Sequence, residues 1–282
     1  MAEYPYRILN VFAIDGQRLS GNPLCVFEDG RGLDDQTMQA LALQFNLSET
    51  TFILPSERAT ARVRIFTPAF EMPFAGHPTL GTAHVVRALR GAGDAVTLEM
   101  PAGVIPVSAE GDTWTLRANA PRQRPVEASR AQLAQMLGLP ENDVLDRAAW
   151  VDTGSDQLIV PLATPAAVAR CRPDGALLEK WAKVNDDRYL VYVWADASPD
   201  ETHVRFFFNK GGAVVEDPAT GSACANLGGW HVGNGTKLPL TRRVRQGEAV
   251  GRPSVLALAV DAQRGIHVGG RVIELGQGTI RL

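Results

Sequence analysis

A phrase that occurs twice constrains the fold of this chain more than any other feature. "AGHPTLGTA" covers residues 75–83, "EDPATGSACA" covers residues 216–225, and each comes shortly after a run of arginine, an apolar residue and phenylalanine. The two prolines are 140 positions apart, and the arginines of the two runs are 141 apart. Because domains typically contain about 100 to 200 residues, a chain of 282 residues accommodates two of them. The repeat therefore predicts two similar halves.

Composition and charge exclude several classes of protein. The chain has 28 basic and 31 acidic side chains and no long run of like charge, so we expect no nucleic-acid partner. The N-terminus lacks the pattern of a signal peptide, and no apolar stretch approaches the length of a membrane span. The three cysteines form no C-x-x-C pair, and the five histidines show no metal-binding spacing. We expect a cytoplasmic protein without a metal, with a homodimer as the default assembly.

Hydrophobic patterns predict alternating strands and helices in the first half. "YRILNVFAI" and "PLCVFE" are typical of a strand pair, and Asp34 is a suitable N-cap for a helix of about twelve residues. After "TTFILP" and "RVRIFT", Pro78 is expected to open a buried helix that ends near Gly91. Strands within "AVTLEMPAGVIPVSAEGDTWTLRA" complete this half.

The second half repeats this order of elements. Helices are predicted at "SRAQLAQMLGL", "GALLEKWAKV" and "TGSACANLGGWHV", with strands at "RAAWVDTG", "QLIVPL", "YLVYVWA" and "HVRFFFN" between them and three further strand segments at the end of the chain. Strands and helices mixed with hairpin-length turns favour an α+β fold over a strict β-α-β alternation.

The two glycine-rich helix starts are the first candidates for a site. Unpaired N–H groups and the positive end of the helix dipole favour an anion there, so "AGHPT" and "ATGSA" could each bind a carboxylate. The alternative is that these glycines only allow the helices to pack closely.

Two acidic residues are further candidates. Glu49 in "SETTF" could cap a turn, or, if buried, could act as a proton shuttle. Asp152 begins "DTG", the active-site loop of pepsin-like aspartic proteases, but such enzymes need two of these loops and the chain has only one. Serine hydrolase, P-loop and Rossmann motifs are absent from the sequence, so we expect an enzyme without a cofactor.

Five segments taken together resemble the phenazine biosynthesis-like (PhzF-like) isomerase family. They are, in chain order, "NVFAIDGQRLSGNPLCVF", "NLSETTFILP", "RIFTPAFEMPFAGHPTLGTAHVV", "EDPATGSACANL" and "RQGEAVGRPS". The resemblance implies the fold of diaminopimelate epimerase, in which two pseudo-symmetric α+β domains each wrap a curved sheet around a central helix. It also implies domain boundaries at 1–118 with a returning strand at about 266–282, and at 119–265, with the active site in the cleft between the domains.

The same resemblance implies roles for particular residues. Where the epimerase branch has a pair of cysteines, this chain has Ala75 and Ala219 by our alignment, so a two-thiol mechanism is not available. Glu49 matches the glutamate that transfers the proton in the PhzF branch. The remaining expected site residues are His77 and Asp217 as catalytic groups, and Asn22, Gly76, Gly221 and Ser222 as substrate contacts.

These observations predict an isomerase that moves a proton on a small carboxylated metabolite. Glu49 would be the general acid and base, and no metal or organic cofactor would take part. Two alternatives remain at this point: a binding protein that holds a small metabolite without turning it over, and an aspartic protease that uses Asp152. The resemblance does not identify the substrate, because one fold hosts different chemistries.

Overall fold

The computed structural model describes residues 1–186 and 188–282 of the chain. The chain divides into two compact units. Unit 1 consists of Met1–Arg117 together with Gly269–Leu282, and unit 2 consists of Ala118–Val268. The C-terminal segment thus belongs to the same unit as the N-terminus.

Unit 1 contains a mixed sheet and two helices. The strands are β1 (Glu3–Val11), β2 (Asn22–Phe27), β3 (Glu49–Leu54), β4 (Ala61–Phe66), β5 (Glu71–Met72), β6 (Ala95–Met100), β7 (Gly103–Glu110) and β8 (Thr113–Arg117), and the helices are α1 (Asp35–Phe45) and α2 (Gly76–Arg90). The final strand of the chain also joins this sheet, and it is numbered β18 (Ile266–Arg281).

The sheet of unit 1 closes on itself. Antiparallel pairing joins β18 to β1, β1 to β2, β3 to β4, β6 to β7 and β7 to β8, whereas β2 with β3 and β4 with β6 are parallel. Pairing of β8 with β18 completes the ring. Helix α2 packs against β1, β2, β3, β4, β6 and β8, so it forms the centre of this barrel.

Two sequence features allow α2 to occupy the centre. Its residues from His77 to Ala83 are all buried, as a helix enclosed by a sheet requires. A Cβ atom at Gly81 would lie 2.5 Å from Leu24 Cδ2, so the glycine permits the close approach of helix and sheet. On the outer face of the sheet, α1 covers a second apolar cluster that includes Phe27 and Phe52.

The described residues of unit 2 form nine strands and four α-helices. The strands are β9 (Arg122–Pro125), β10 (Ala149–Asp152), β11 (Asp156–Pro161), β12 (Lys183–Asn185), β13 (Arg188–Asp196), β14 (Glu201–Lys210), β15 (Ala213–Asp217), β16 (Leu240–Gln246) and β17 (Ser254–Val260). The helices are α3 (Arg130–Leu137), α4 (Pro165–Arg170), α5 (Gly175–Trp181) and α6 (Gly221–Gly233).

Unit 2 repeats the strand pairing of unit 1. The series β10, β11, β13, β14, β16 and β17 alternates antiparallel and parallel pairs in the same order as β1, β2, β3, β4, β6 and β7. Helix α6 follows β15 as α2 follows β5, and it packs against strands β9, β10, β11 and β17. Helices α3, α4 and α5 contribute to a separate core on the sheet of unit 2. The predicted α+β class, with a curved sheet around a central helix in each half, is confirmed.

An arginine–glutamate pair precedes each central helix. Arg64 binds Glu71 through two hydrogen bonds of 2.7 and 2.6 Å, and Arg205 binds Glu216 through two of 3.1 and 2.6 Å. Each glutamate lies five positions before the first residue of its helix, so the two helix starts are 145 positions apart rather than 140. The spacing of 140 between the prolines therefore differs from the spacing of the helix starts, because Pro218 lies before its helix whereas Pro78 lies within one.

Two details differ from the sequence predictions, and two others agree with them. Helix α2 begins at Gly76, two residues before the expected Pro78. Helix α4 was not predicted, although Thr164 caps it by accepting a hydrogen bond from the N–H of Ala167. The expected N-cap Asp34 does accept a hydrogen bond from the N–H of Thr37, and Gly91 ends α2 in the left-handed conformation.

Candidate active site

The predicted site residues fall into two groups. Asn22, Glu49, Gly76 and His77 belong to unit 1, and Asp217, Gly221 and Ser222 belong to unit 2. In unit 1 the group lies at the first residues of β2, β3 and α2, and in unit 2 it lies at the end of β15 and the start of α6.

Glu49 and His77 form a direct pair in unit 1. Glu49 Oε2 lies 2.9 Å from His77 Nδ1, and the side chains are 17% and 5% exposed respectively. The pair meets because β3 begins beside β2, with Leu24 opposite Glu49, and α2 starts beneath the same strand ends. Thr51, two residues along β3, reaches the same helix, with its Oγ1 2.8 Å from that of Thr82.

The backbone of Asn22 determines which ring nitrogen of His77 carries a hydrogen. The backbone oxygen of Asn22 lies 3.2 Å from His77 Nε2. A carbonyl oxygen only accepts hydrogen bonds, so Nε2 carries the hydrogen. The hydrogen bond between Nδ1 and Glu49 then needs one further proton. Either a protonated Glu49 donates it to a neutral ring, or an imidazolium donates it to a carboxylate.

Phe12 was not anticipated as part of this group. Its fully buried ring lies 6.4 Å from the imidazole of His77, centroid to centroid, and its backbone has a φ of 63°. A positive φ is uncommon for a bulky residue and is typical of positions that the surrounding structure holds under strain. The sequence contains no local signal for this, because "NVFAI" is typical of an ordinary strand.

Helix α6 begins with a threonine whose hydroxyl is engaged elsewhere. Thr220 Oγ1 donates to Asp217 Oδ2 at 2.5 Å and accepts from Gln246 Nε2 at 3.0 Å. Thr220 is the N-cap residue, yet its side chain caps none of the described N–H groups of the first turn. The same holds for Ala75 at the start of α2, which has no hydroxyl. The first-turn amides of both central helices thus lack the side-chain acceptor that most helices have.

Gln246 holds the turn that carries Asp217. Its Nε2 also donates to the backbone oxygen of Asp217 at 2.8 Å, and its Oε1 accepts from the N–H of Thr220 at 3.1 Å. Gln246 is fully buried, so each of these bonds is shielded from water. The sequence indicated this residue only through the segment "RQGEAVGRPS".

Ser222 is the second residue of α6, and its Oγ accepts a hydrogen bond of 3.0 Å from Gln157 Nε2.

Asp152, by contrast, closes a local turn, because its Oδ1 accepts from the N–H of Gly154 at 2.7 Å. Burial raises the pKa of the Cys224 thiol, and the side chain is fully enclosed, which fits a packed residue rather than a nucleophile.

Among the described residues, His, Cys, Asp and Glu side chains nowhere gather in a group of three or more that could hold a metal ion. In the same part of the chain, every helix is too short or too polar to cross a membrane.

Comparisons with known proteins agree with the architecture. The family model described as phenazine biosynthesis-like protein matches residues 9–278. An uncharacterized isomerase of Pasteurella multocida is 40% identical over 99% of this chain and 95% of its own length. The trans-2,3-dihydro-3-hydroxyanthranilate isomerase of Pseudomonas aeruginosa is 34% identical over 88% of this chain and 87% of its own length.

Solved structures share the fold. A PhzF-family phenazine biosynthesis protein of Bacillus anthracis matches with a TM-score of 0.85 at 24% identity, covering 100% of both chains. A hydroxyproline epimerase of Agrobacterium vitis matches with a TM-score of 0.62 at 11% identity, covering 99% of this chain and 93% of that one. The chain has the epimerase-like fold and belongs to the phenazine biosynthesis-like (PhzF) family of isomerases.

Proposed function

We propose that this isomerase relocates a proton on a small carboxylated metabolite, with Glu49 as the general acid and base. The observation that carries the proposal is the contact between Glu49 Oε2 and His77 Nδ1 at the start of a buried helix. When His77 is the donor, Glu49 is a carboxylate that can accept a proton from carbon. The same carboxyl group can then return that proton to another carbon of the substrate.

The steps balance without an oxidant or reductant. A C–H bond of the substrate breaks, its proton forms an O–H bond at Glu49, and the electron pair stays on the substrate and shifts along an activated system. A new C–H bond then forms as Glu49 releases the proton. His77 keeps the carboxyl group oriented throughout, because its other nitrogen is held by the Asn22 backbone oxygen.

The amides at the two helix starts support the choice of an anionic substrate. Gly76 and Gly221 each begin a central helix whose first turn lacks a side-chain cap in the described structure. Such amides and the helix dipole stabilise a carboxylate and the negative charge that develops when a proton is removed. Asp217 and Ser222 supply the further contacts that orient the substrate in this proposal, and the reaction uses no cofactor.

Deuterium uptake from D2O tests the role of Glu49. The first probe is trans-2,3-dihydro-3-hydroxyanthranilate, the compound in the name of the Pseudomonas aeruginosa relative. If it is not a substrate, the probes are carboxylated metabolites that raise the melting temperature of the protein. Wild type should incorporate deuterium, and Glu49→Gln should lose incorporation by at least about a hundredfold, the usual contribution of a general acid or base.

The matched control is Glu110→Gln, which makes the same change at an exposed position of β7 in the same unit. It should exchange at the wild-type rate. Equal exchange by wild type and Glu49→Gln would remove Glu49 from the mechanism.

A further inference from the structure

A buried chain of hydrogen bonds ends on Ser222, and its direction is fixed at the far end. Thr153 donates to Asn226 Oδ1 twice, from its backbone N–H at 2.9 Å and from its hydroxyl at 2.7 Å. The amide group of Asn226 donates to the backbone oxygen of Ser155 at 2.7 Å. A backbone N–H can only donate and a carbonyl can only accept, so Asn226 has a single allowed orientation.

The orientation of Asn226 fixes that of Gln157. Asn226 Nδ2 also donates to Gln157 Oε1 at 2.8 Å, which leaves Gln157 Nε2 to face Ser222 Oγ at 3.0 Å. Because an amide NH2 only donates, Ser222 accepts this bond, and its own hydroxyl hydrogen must point away from Gln157. Asn226 is fully buried and Gln157 is 2% exposed, so water does not compete for these bonds.

We propose that Gln157 is a positioning residue that makes Ser222 a hydrogen-bond donor toward the substrate. The group that receives the hydroxyl hydrogen of Ser222 is then an acceptor, such as a carboxylate, carbonyl or hydroxyl oxygen. This inference rests on the proposed function, in which Ser222 contacts the substrate. It also gives the "DTG" segment a role: the turn closed by Asp152 and Gly154 presents Thr153 and Ser155 to Asn226.

Two nearly isosteric variants test the direction of these hydrogen bonds without an activity assay. In Gln157→Glu, the new carboxyl group accepts from Asn226 and either accepts from Ser222 when ionised or donates to it when protonated. In Asn226→Asp, the ionised carboxylate faces the acceptors Ser155 O and Gln157 Oε1. We expect Asn226→Asp to lower the thermal midpoint by about 5 °C more than Gln157→Glu, since acceptors that face each other leave buried groups unsatisfied. Equal losses, or a larger loss for Gln157→Glu, would overturn the assigned direction.

Activity then tests the effect on Ser222. At about pH 8, Gln157→Glu turns the Ser222 hydroxyl toward the new carboxylate, so we expect kcat/KM for the exchanging probe to fall about tenfold or more, as in Ser222→Ala. Adding Gln157→Glu to Ser222→Ala should cause little further loss, because both changes remove the same donor. At about pH 5.5, protonation of the buried carboxyl group should restore part of the activity of Gln157→Glu relative to Ser222→Ala.

The outcomes separate the two proposals. Additive losses in the double variant, or no recovery at acidic pH, would contradict the positioning role of Gln157. Absence of exchange by wild type with every probe would contradict the proposed function, and the comparison of thermal midpoints would still decide the direction of the hydrogen bonds.

Discussion

The stability of unit 2 should depend on pH through one buried histidine. His231 lies near the end of α6 and is 3% exposed, with the rings of Trp194 and Trp230 both 5.3 Å from its imidazole. Burial lowers the pKa of His231 from 6.5 to about 4 and outweighs the opposing effect of Asp196, while Arg242 acts in the same direction as burial. The folded chain thus keeps this ring neutral at pH values where the unfolded chain would protonate it.

The size and sign of the effect follow from the two pKa values. Above pH 6.5 the histidine is neutral in both states, so stability is at its full value. As the pH falls toward 4, the unfolded state binds a proton that the folded state excludes, and stability is lost. Each pKa unit corresponds to about 1.4 kcal/mol, so the full gap is worth about 3.5 kcal/mol, and about 2.5 kcal/mol of this is lost between about pH 7 and about pH 4.5.

Urea unfolding of wild type and His231→Asn at these two pH values measures this contribution. Asparagine retains a polar group near the position of Nδ1, which contacts Thr236 Oγ1 at 3.0 Å, but it does not titrate. Tryptophan fluorescence reports mainly on unit 2, which holds four of the five tryptophans: Trp150, Trp181, Trp194 and Trp230. Wild type should lose about 2.5 kcal/mol more than the variant on acidification. Equal losses in the two proteins would refute the assignment of this sensitivity to His231.

Three further changes have expected outcomes. Gly81→Val should lower the thermal midpoint by about 5 °C or more, because its side chain overlaps Leu24 in the packed centre of unit 1. Arg205→Met should cost about 3 to 5 kcal/mol in urea unfolding, since Glu216 would keep a buried charge without its partner, and adding Glu216→Leu should restore part of the loss. Gln246→Leu should reduce kcat/KM for the exchanging probe by about tenfold or more, because the turn before α6 loses its buried hydrogen bonds. The circular dichroism spectrum of this variant should stay close to that of wild type.

The closed sheet of unit 1 brings Glu49 and His77 into contact. The starts of β2, β3 and α2 meet at one end of the barrel, so Glu49 and His77 need only short side chains to reach each other. The neighbouring strands hold the backbone of both residues in place, and preorganisation of this kind lowers the cost of orienting catalytic groups during reaction.

Local patterns were sufficient to predict most elements and both central helices. Asp34 and Gly91 marked helix ends correctly, because caps depend on side chains within a few residues of the end they stabilise. The repeat was also visible, but its register was not. Pro78 and Pro218 occupy different positions, one within a first helical turn and one before a helix, so the spacing between them is not the spacing between the two helix starts.

The sequence by itself determined the α+β class, the duplicated central helices and the residue types from which the family membership follows. Only the tertiary structure decided how these residues are connected. Ser222 accepts from Gln157, which lies 65 positions before it and 69 positions before Asn226, the residue that orients Gln157. The turn that bears Asp217 is held by Gln246 from another strand. Periodicity and capping are local properties, whereas the direction of a buried hydrogen bond depends on which distant donors and acceptors the fold brings into contact.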